Sequence, residues 1–82
     1  MYKVYILKSL VNGKYYIGHT KNLEARLNRH NGGLVKSTRA CRPWEIVYSE
    51  SKKNKNEAYK REFQIKSYKG GNAFKKLIDY FG

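Results

Sequence analysis

Tyr2-Lys3-Val4-Tyr5-Ile6-Leu7-Lys8, then Asn12-Gly13, then Lys14-Tyr15-Tyr16-Ile17-Gly18 are the residues that decide the fold. The first run is rich in β-branched and aromatic side chains, which suit a pleated surface, and it reads as a strand. Asn-Gly is a strong short-range hairpin signal because both residues tolerate positive φ. The strand pattern resumes at Lys14, so the chain opens with an antiparallel hairpin. After Gly18 the period changes. Asn22 is a good N-cap for a helix over 23–31, and Gly32-Gly33 end it. Residues 32–43 make a basic, polar loop. Pro43 stands at the entry to a third strand over 44–50, along which Trp44, Ile46 and Tyr48 alternate. Asn54 or Asn56 caps a second helix running to about residue 68, Gly70-Gly71 break it, and 72–80 reads as a last helix with Phe74, Leu77 and Ile78 inward. The order ββαβαα implies a three-stranded, at least partly antiparallel sheet flanked by helices, an α/β or α+β sandwich.

The 82 residues amount to a single domain over 1–82. No apolar run approaches the ~20 residues that a membrane-spanning helix needs, and the opening stretch, broken by Lys8, lacks the layout of a signal peptide. The one cysteine, Cys41, cannot form an internal disulfide and reads as a packing residue, which points to the cytoplasm. Charge is more telling. Eighteen Lys and Arg face six Asp and Glu, a net +12 spread from Lys3 to Lys76. A one-sign excess of this kind calls for a polyanionic partner, nucleic acid before an anionic membrane. The membrane reading lacks an amphipathic helix with a bulky apolar face and basic flanks.

Phosphodiester chemistry assisted by a metal usually needs a carboxylate, so the six acids matter individually. Glu24 and Glu57 fall in first helical turns, where the helix dipole favours them. Glu45 and Glu50 lie on or beside the third strand, and Asp79 sits near the terminus. Glu62 is different. At about 100° per residue it projects between Ala58 and Ile65 on one side and Tyr59 and Phe63 on the other, while Lys60, Arg61 and Gln64 point away. A carboxylate in an apolar face needs a cation, either a structural Arg or Lys or a metal ion. The first helix carries a similar intrusion, Arg26 and His30 one turn apart beside the Leu23/Leu27 stripe. Arg suits bidentate contact with phosphate, and His30 suits donation to phosphate or proton transfer, or else a satisfied structural role. Tyr5 and Tyr16 lie on the two arms of the hairpin, near one another at the same end.

These residues resemble the GIY-YIG endonuclease family. Val4-Tyr5-Ile6 looks like a variant of its first triplet, with Val4 nearest the triplet's Ile and Lys3 at its glycine position. Tyr16-Ile17-Gly18 is the second triplet unaltered, eleven positions from Tyr5. Arg26-Leu27-Asn28-Arg29-His30 matches the Arg-x-x-x-His helix signature, and Glu62 in Lys60-Arg61-Glu62 matches the distal glutamate. The likeness runs from about Tyr2 to Ile78 and is closest to small stand-alone bacterial members, similar to the catalytic domain of excision-repair nucleases.

The resemblance implies a DNA endonuclease that hydrolyses phosphodiester bonds. By this likeness Tyr5 accepts a proton from water, nearby positive charge lowering its pKa. Glu62 holds one divalent cation, Mg2+ or Mn2+. Arg26 neutralises charge on phosphorus, His30 and Tyr16 position the phosphate, and Gly18 lets the backbone turn beneath the site. His19 and Thr20 lie at the rim. Asn72 is the one residue available for the asparagine that some members carry after the glutamate, and Asn31 is assigned to the substrate side. Lys36, Arg39 and Arg42 in the 32–43 loop join His19 and Asn31 as substrate-binding candidates, with specificity coming from that loop, a protein partner or a homodimer. Branched or damaged DNA and RNA remain open as substrates, as does the alternative of a non-catalytic nucleic-acid-binding module.

Overall fold

In the computed structural model, residues 1–81 are described, with side chains through Asp79. Val4 to Leu7 form a run with no accessible surface at all, and this run explains the layering. A strand buried on both faces reads as a near-continuous apolar stretch instead of an alternating one. It is the middle strand, β1 (Tyr2–Ser9), with β2 (Tyr15–Thr20) on one side and β3 (Trp44–Lys52) on the other, all antiparallel in the order β2-β1-β3. The element order ββαβαα and an α+β fold follow, with the sheet antiparallel throughout.

Alternate residues of β1 anchor two cores. Tyr5 and Leu7 pack with Trp44 and, from helix α1 (Leu23–Asn31), with Leu23 and Leu27. Val4 and Ile6 pack on the opposite face with Ala58 and Ile65 of α2 (Lys55–Ser67) and Phe74 of α3 (Asn72–Phe81). Burying one such side chain is worth roughly 1.5–3 kcal/mol, so truncating any of the four β1 residues should be costly in a domain of this size. Leu77 and Ile78 of α3 join the second core partly buried.

The turns follow local chemistry. Between β1 and β2 the chain takes five residues, 10–14, and the buried Ser9 hydroxyl holds them by accepting from Val11 N (3.1 Å) and Asn12 N (3.2 Å). Gly13 has φ +76°, a left-handed conformation that glycine adopts without steric cost. Asn22 caps α1 by accepting from Ala25 N at 3.0 Å, and Asn54 caps α2 by accepting from Glu57 N at 2.9 Å.

Two expectations need correction. The alternation of Trp44, Ile46 and Tyr48 does not persist. Leu7 pairs with Ile46 and Ile6 with Tyr48, so Val47 is an extra residue forming a β-bulge. Past the bulge the side chains change faces, and Tyr48 packs in the core opposite to that of Trp44 and Ile46. The 32–43 loop also contains a turn of 3-10 helix, Arg39–Cys41.

Candidate active site

The hairpin register builds the first half of the site. Tyr5 stands opposite Gly18 and Leu7 opposite Tyr16, which puts Tyr5 and Tyr16 diagonally on one face with ring centroids 6.3 Å apart. Gly18 is needed for space. It lies inside a strand and makes no turn, contrary to the sequence expectation. A Cβ there would sit 2.6 Å from the Tyr5 hydroxyl oxygen and 2.8 Å from Cζ, closer than real contacts allow. The phenol of Tyr5 therefore lies across the bare backbone of β2.

Helix α1 supplies the next group. It turns half-buried Arg26 and fully buried His30 toward the tyrosines. His30 Nε2 is 3.4 Å from the Tyr5 hydroxyl, and its ring lies 4.8 Å from that of Tyr16. On the other side His30 Nδ1 is 2.8 Å from the hydroxyl of Thr38, itself only 2% exposed. Burial, then the charges of Arg26 and Arg29, lower the His30 pKa, so the ring is neutral at neutral pH. The Tyr5 pKa is pushed up to about 12, mainly by burial and then by Tyr16, with Arg26 acting in the opposite direction. The expected lowering by surrounding positive charge does not occur, because burial outweighs it.

The other half comes from the opposite face of the sheet. Successive residues of β2 alternate, so His19, paired with Val4, points away from Gly18 toward α2. There His19 Nδ1 lies 2.6 Å from Glu62 Oε1, while Lys66 Nζ donates to Glu62 Oε2 at 2.7 Å. Glu62 is a half-buried carboxylate, as its helical position implied, but the face it shares is different. Ala58, Arg61, Glu62 and Ile65 turn inward, whereas Tyr59 and Phe63 are 59% and 67% exposed. Arg61 does not point away. It donates to Glu50 Oε1 at 2.8 Å.

A groove lined by Tyr2, His19, Thr20, Lys21, Arg26 and Lys55 joins the two halves. It draws on the open end of the hairpin and the first turns of α1 and α2, and its wall carries three cations, Lys21, Arg26 and Lys55. Of the five expected catalytic residues, Arg26 lines this groove. Tyr5, Tyr16 and His30 form a contiguous group beside it on the α1 side, and Glu62 contacts it through His19.

A metal would find one carboxylate here. Among the described residues no group of three or more His, Cys, Asp or Glu side chains is gathered. That donor set suits an ion such as Mg2+, which keeps several waters and takes one or two carboxylates together with phosphate oxygens. It does not suit an ion requiring a closed protein cage. Lys66, the partner of the second Glu62 oxygen, is 53% exposed.

The remaining candidates are dispersed. Asn31 is a structural clamp: its Nδ2 donates to Trp44 O at 3.1 Å and its Oδ1 accepts from Trp44 N at 2.6 Å, tying α1 to β3. Both ends of the amide are thereby committed, and the substrate role expected of it is not supported. Lys36, Arg39 and Arg42 are exposed on the loop, outside the groove wall, and Asn72 is exposed at the start of α3. Thr38 escaped sequence reasoning, since a threonine in an aperiodic loop carries no signal of the histidine it meets. The partnership of His19 with Glu62, 43 positions apart, was equally invisible.

The profile of the GIY-YIG catalytic domain matches residues 1–75. A UPF0213 protein of Staphylococcus epidermidis is 46% identical over 66 residues, covering 79% of each chain, and one of Staphylococcus aureus is 44% identical over the same span. The solution NMR structure of a UPF0213 protein from Bacillus halodurans superposes with a TM-score of 0.61 at 28% identity, over 100% of this chain and 87% of that one.

Proposed function

The chain belongs to the GIY-YIG catalytic-domain family, in general a family of nucleases, and from that premise we propose that it is a metal-dependent DNA endonuclease acting as a single domain over 1–82. The observation that carries this reading is the buried pair of Tyr5 and His30 set beside Arg26, with Glu62 beyond the same groove. A binding surface needs neither a desolvated phenol–imidazole pair nor a carboxylate where phosphate would lie. The net charge of +12 draws the polyanion in.

In this reading a backbone phosphate enters the groove against Lys21, Arg26 and Lys55. Arg26 takes two of its oxygens and offsets charge as the phosphorus becomes pentacovalent. Tyr16 holds the phosphate from the hairpin side. Tyr5 passes its hydroxyl proton to His30 Nε2 and accepts one from the attacking water, so that His30 ends as imidazolium; the new hydroxyl joins phosphorus as the P–O3′ bond breaks, and the departing 3′ oxygen takes its proton from water. The high pKa of Tyr5 makes the unaided step unfavourable at neutral pH, so the histidine and Arg26 are both required. Glu62 would hold the Mg2+ or Mn2+ ion, which supplies Lewis-acid stabilisation of phosphate charge. Lys36, Arg39 and Arg42 would bind the flanking DNA, and a protein partner or second copy would add specificity.

A second reading, a nucleic-acid-binding module that does not cut, is favoured by one observation: both Glu62 oxygens already have partners, His19 and Lys66. The deciding experiment is cleavage of labelled linear, nicked and branched DNA, and of an RNA counterpart, in Mg2+, Mn2+ or EDTA. Metal-dependent cutting is expected, and the preferred strand structure is read from the products. Tight binding with no cutting of any substrate would establish the module instead.

A further inference from the structure

We propose that Thr38 is a positioning residue that holds His30 in the Nδ1–H tautomer, leaving Nε2 as the acceptor for the Tyr5 hydroxyl proton. The inference deepens the nuclease reading of this site and rests on it. It follows from counting donors and acceptors along a buried chain. Tyr5 and His30 are 0% exposed and Thr38 is 2% exposed, so none of the three can rely on bulk water.

The Thr38 hydroxyl lies 2.8 Å from His30 Nδ1 and 3.4 Å from the carbonyl oxygen of Val35. The carbonyl can only accept. If Nδ1 carries the imidazole proton, it donates to Thr38, Thr38 donates to Val35, and Tyr5 donates to Nε2. Every proton then has an acceptor, the Val35 carbonyl oxygen being shared with the N–H groups of Thr38 and Arg39. In the opposite tautomer Thr38 donates to Nδ1 and Nε2–H donates to Tyr5, whose own proton then loses His30, its hydrogen-bond partner among the described residues, while the neighbouring Arg26 is donor-only. Leaving that buried donor unpaired costs roughly 1–3 kcal/mol. The first arrangement therefore prevails, and it is the one in which His30 can receive a proton from Tyr5.

Thr38 is itself well anchored. Its carbonyl accepts from Trp44 Nε1 at 2.9 Å and its N–H donates to Val35 O at 3.1 Å. The charged and titratable groups around His30 are Tyr5 from β1, Tyr16 from β2, and Arg26 and Arg29 from its own helix, while the loop contributes the neutral hydroxyl of Thr38. The logic is that of a hydrolytic triad, in which a third group orients the base, with a neutral hydroxyl in the orienting place.

The test compares wild type, Thr38→Val and Thr38→Ser by long-range proton–nitrogen NMR of ¹⁵N-histidine-labelled protein without DNA, and by cleavage rate and DNA affinity. Wild type should show a protonated Nδ1 and a bare Nε2 on His30. Thr38→Val should move the tautomer toward Nε2–H and slow cleavage at least ~10-fold with DNA affinity unchanged, because a base in the wrong tautomer loses orders of magnitude of rate elsewhere. Thr38→Ser should restore both. An Nε2–H tautomer in wild type overturns the proposal, as does a Thr38→Val protein with native tautomer and full rate. If Thr38→Val fails to fold, the wild-type spectrum and Thr38→Ser still decide. A wild-type protein that shows the Nδ1–H tautomer but cuts nothing would remove the nuclease reading and leave the tautomer assignment standing.

Discussion

Two carboxylates meet α2 and are equally withdrawn from solvent, yet they are held in different ways. Glu50 and Glu62 have side chains 19% and 15% exposed. Glu50 accepts from Arg61 Nε at 2.8 Å and from the Tyr48 hydroxyl at 2.7 Å, and Lys52 lies 3.1 Å from its other oxygen. Burial works to raise its pKa, but the hydrogen bonds from Arg61, Tyr48 and Lys52 prevail and hold it below the usual carboxylate range. The Arg61 guanidinium is half-buried and its pKa is raised, although burial opposes this, because Glu50 stabilises the charge. Glu62 instead rests on a histidine and on a lysine more than half exposed. The difference teaches that burial alone does not identify a site. A carboxylate surrounded by fixed partners fastens strand to helix, whereas Glu62 keeps one partner, Lys66, that is more than half exposed.

The largest expected effect separates them in activity. Glu62→Gln should take cleavage down at least ~100-fold, comparable to losing a preorganised transition-state contact, while DNA binding holds or tightens as a charge facing phosphate disappears. Glu50→Gln should cut at close to the wild-type rate. Equal losses in the two variants would show that the distinction is wrong and that both carboxylates act structurally.

Stability should reverse the order. Removing the charge of Glu50 strands Arg61 in a half-buried position, and about 1–3 kcal/mol should be lost in denaturant unfolding. Glu62→Gln should cost under ~1 kcal/mol, since an exposed lysine is easily rehydrated. A larger stability loss from Glu62→Gln than from Glu50→Gln would invert the assignment.

How much of this contrast was legible beforehand depends on which residues report themselves. The hairpin, the Asn22 and Asn54 caps and the inward Phe74 all follow from local rules that act within a few residues. Tyr5, Tyr16, Arg26, His30 and Glu62 were singled out by a pattern and a spacing, and Gly18 by the same triplet, though its reason proved to be the Tyr5 phenol passing over it. The inward face of α2 was misread because Tyr59 and Phe63, the bulkiest apolar residues of that helix, turn outward while Arg61 turns in. Arg61 can do so only because Glu50 waits on β3, a long-range fact. The bulge at Val47 is hidden for a similar reason: one extra residue in an alternating strand shows only in its pairing with β1. Asn31 and Thr38 likewise take their roles from partners that the folded chain brings up, Trp44 and His30.

The pH dependence sharpens the comparison next. The folded pKa of Glu50 is depressed, so its contribution is fully present above the unfolded value near 4.5 and is lost as pH falls through the folded one. The acid limb of stability below pH 4.5 should therefore flatten in Glu50→Gln, as followed by urea midpoints. His30, buried and with a lowered pKa, is a second source: below its unfolded value of 6.5 the unfolded chain binds the proton first, and stability falls until the folded pKa is reached. That decline should begin at higher pH than the Glu50 limb and persist in Glu50→Gln. If the variant lost both limbs together, the two groups would not titrate independently, and the carboxylate network would reach across the sheet.

The smallest effect concerns the exposed partner itself. Lys66 and Glu62 form an i,i+4 pair on a helix, and pairs of this kind are worth about 0.3–0.5 kcal/mol when exposed. Lys66→Ala should therefore barely move the unfolding midpoint. Its informative readout is the metal. With the lysine gone, Glu62 keeps His19 but loses the competing charge, and half-maximal cleavage should come at a lower Mg2+ concentration, by a few-fold, with the rate at saturation unchanged. A fall in the saturating rate would mean that Lys66 touches the DNA during the reaction. A metal requirement that stays put would mean that the lysine does not compete for the carboxylate, and that Glu62 is held as firmly as Glu50.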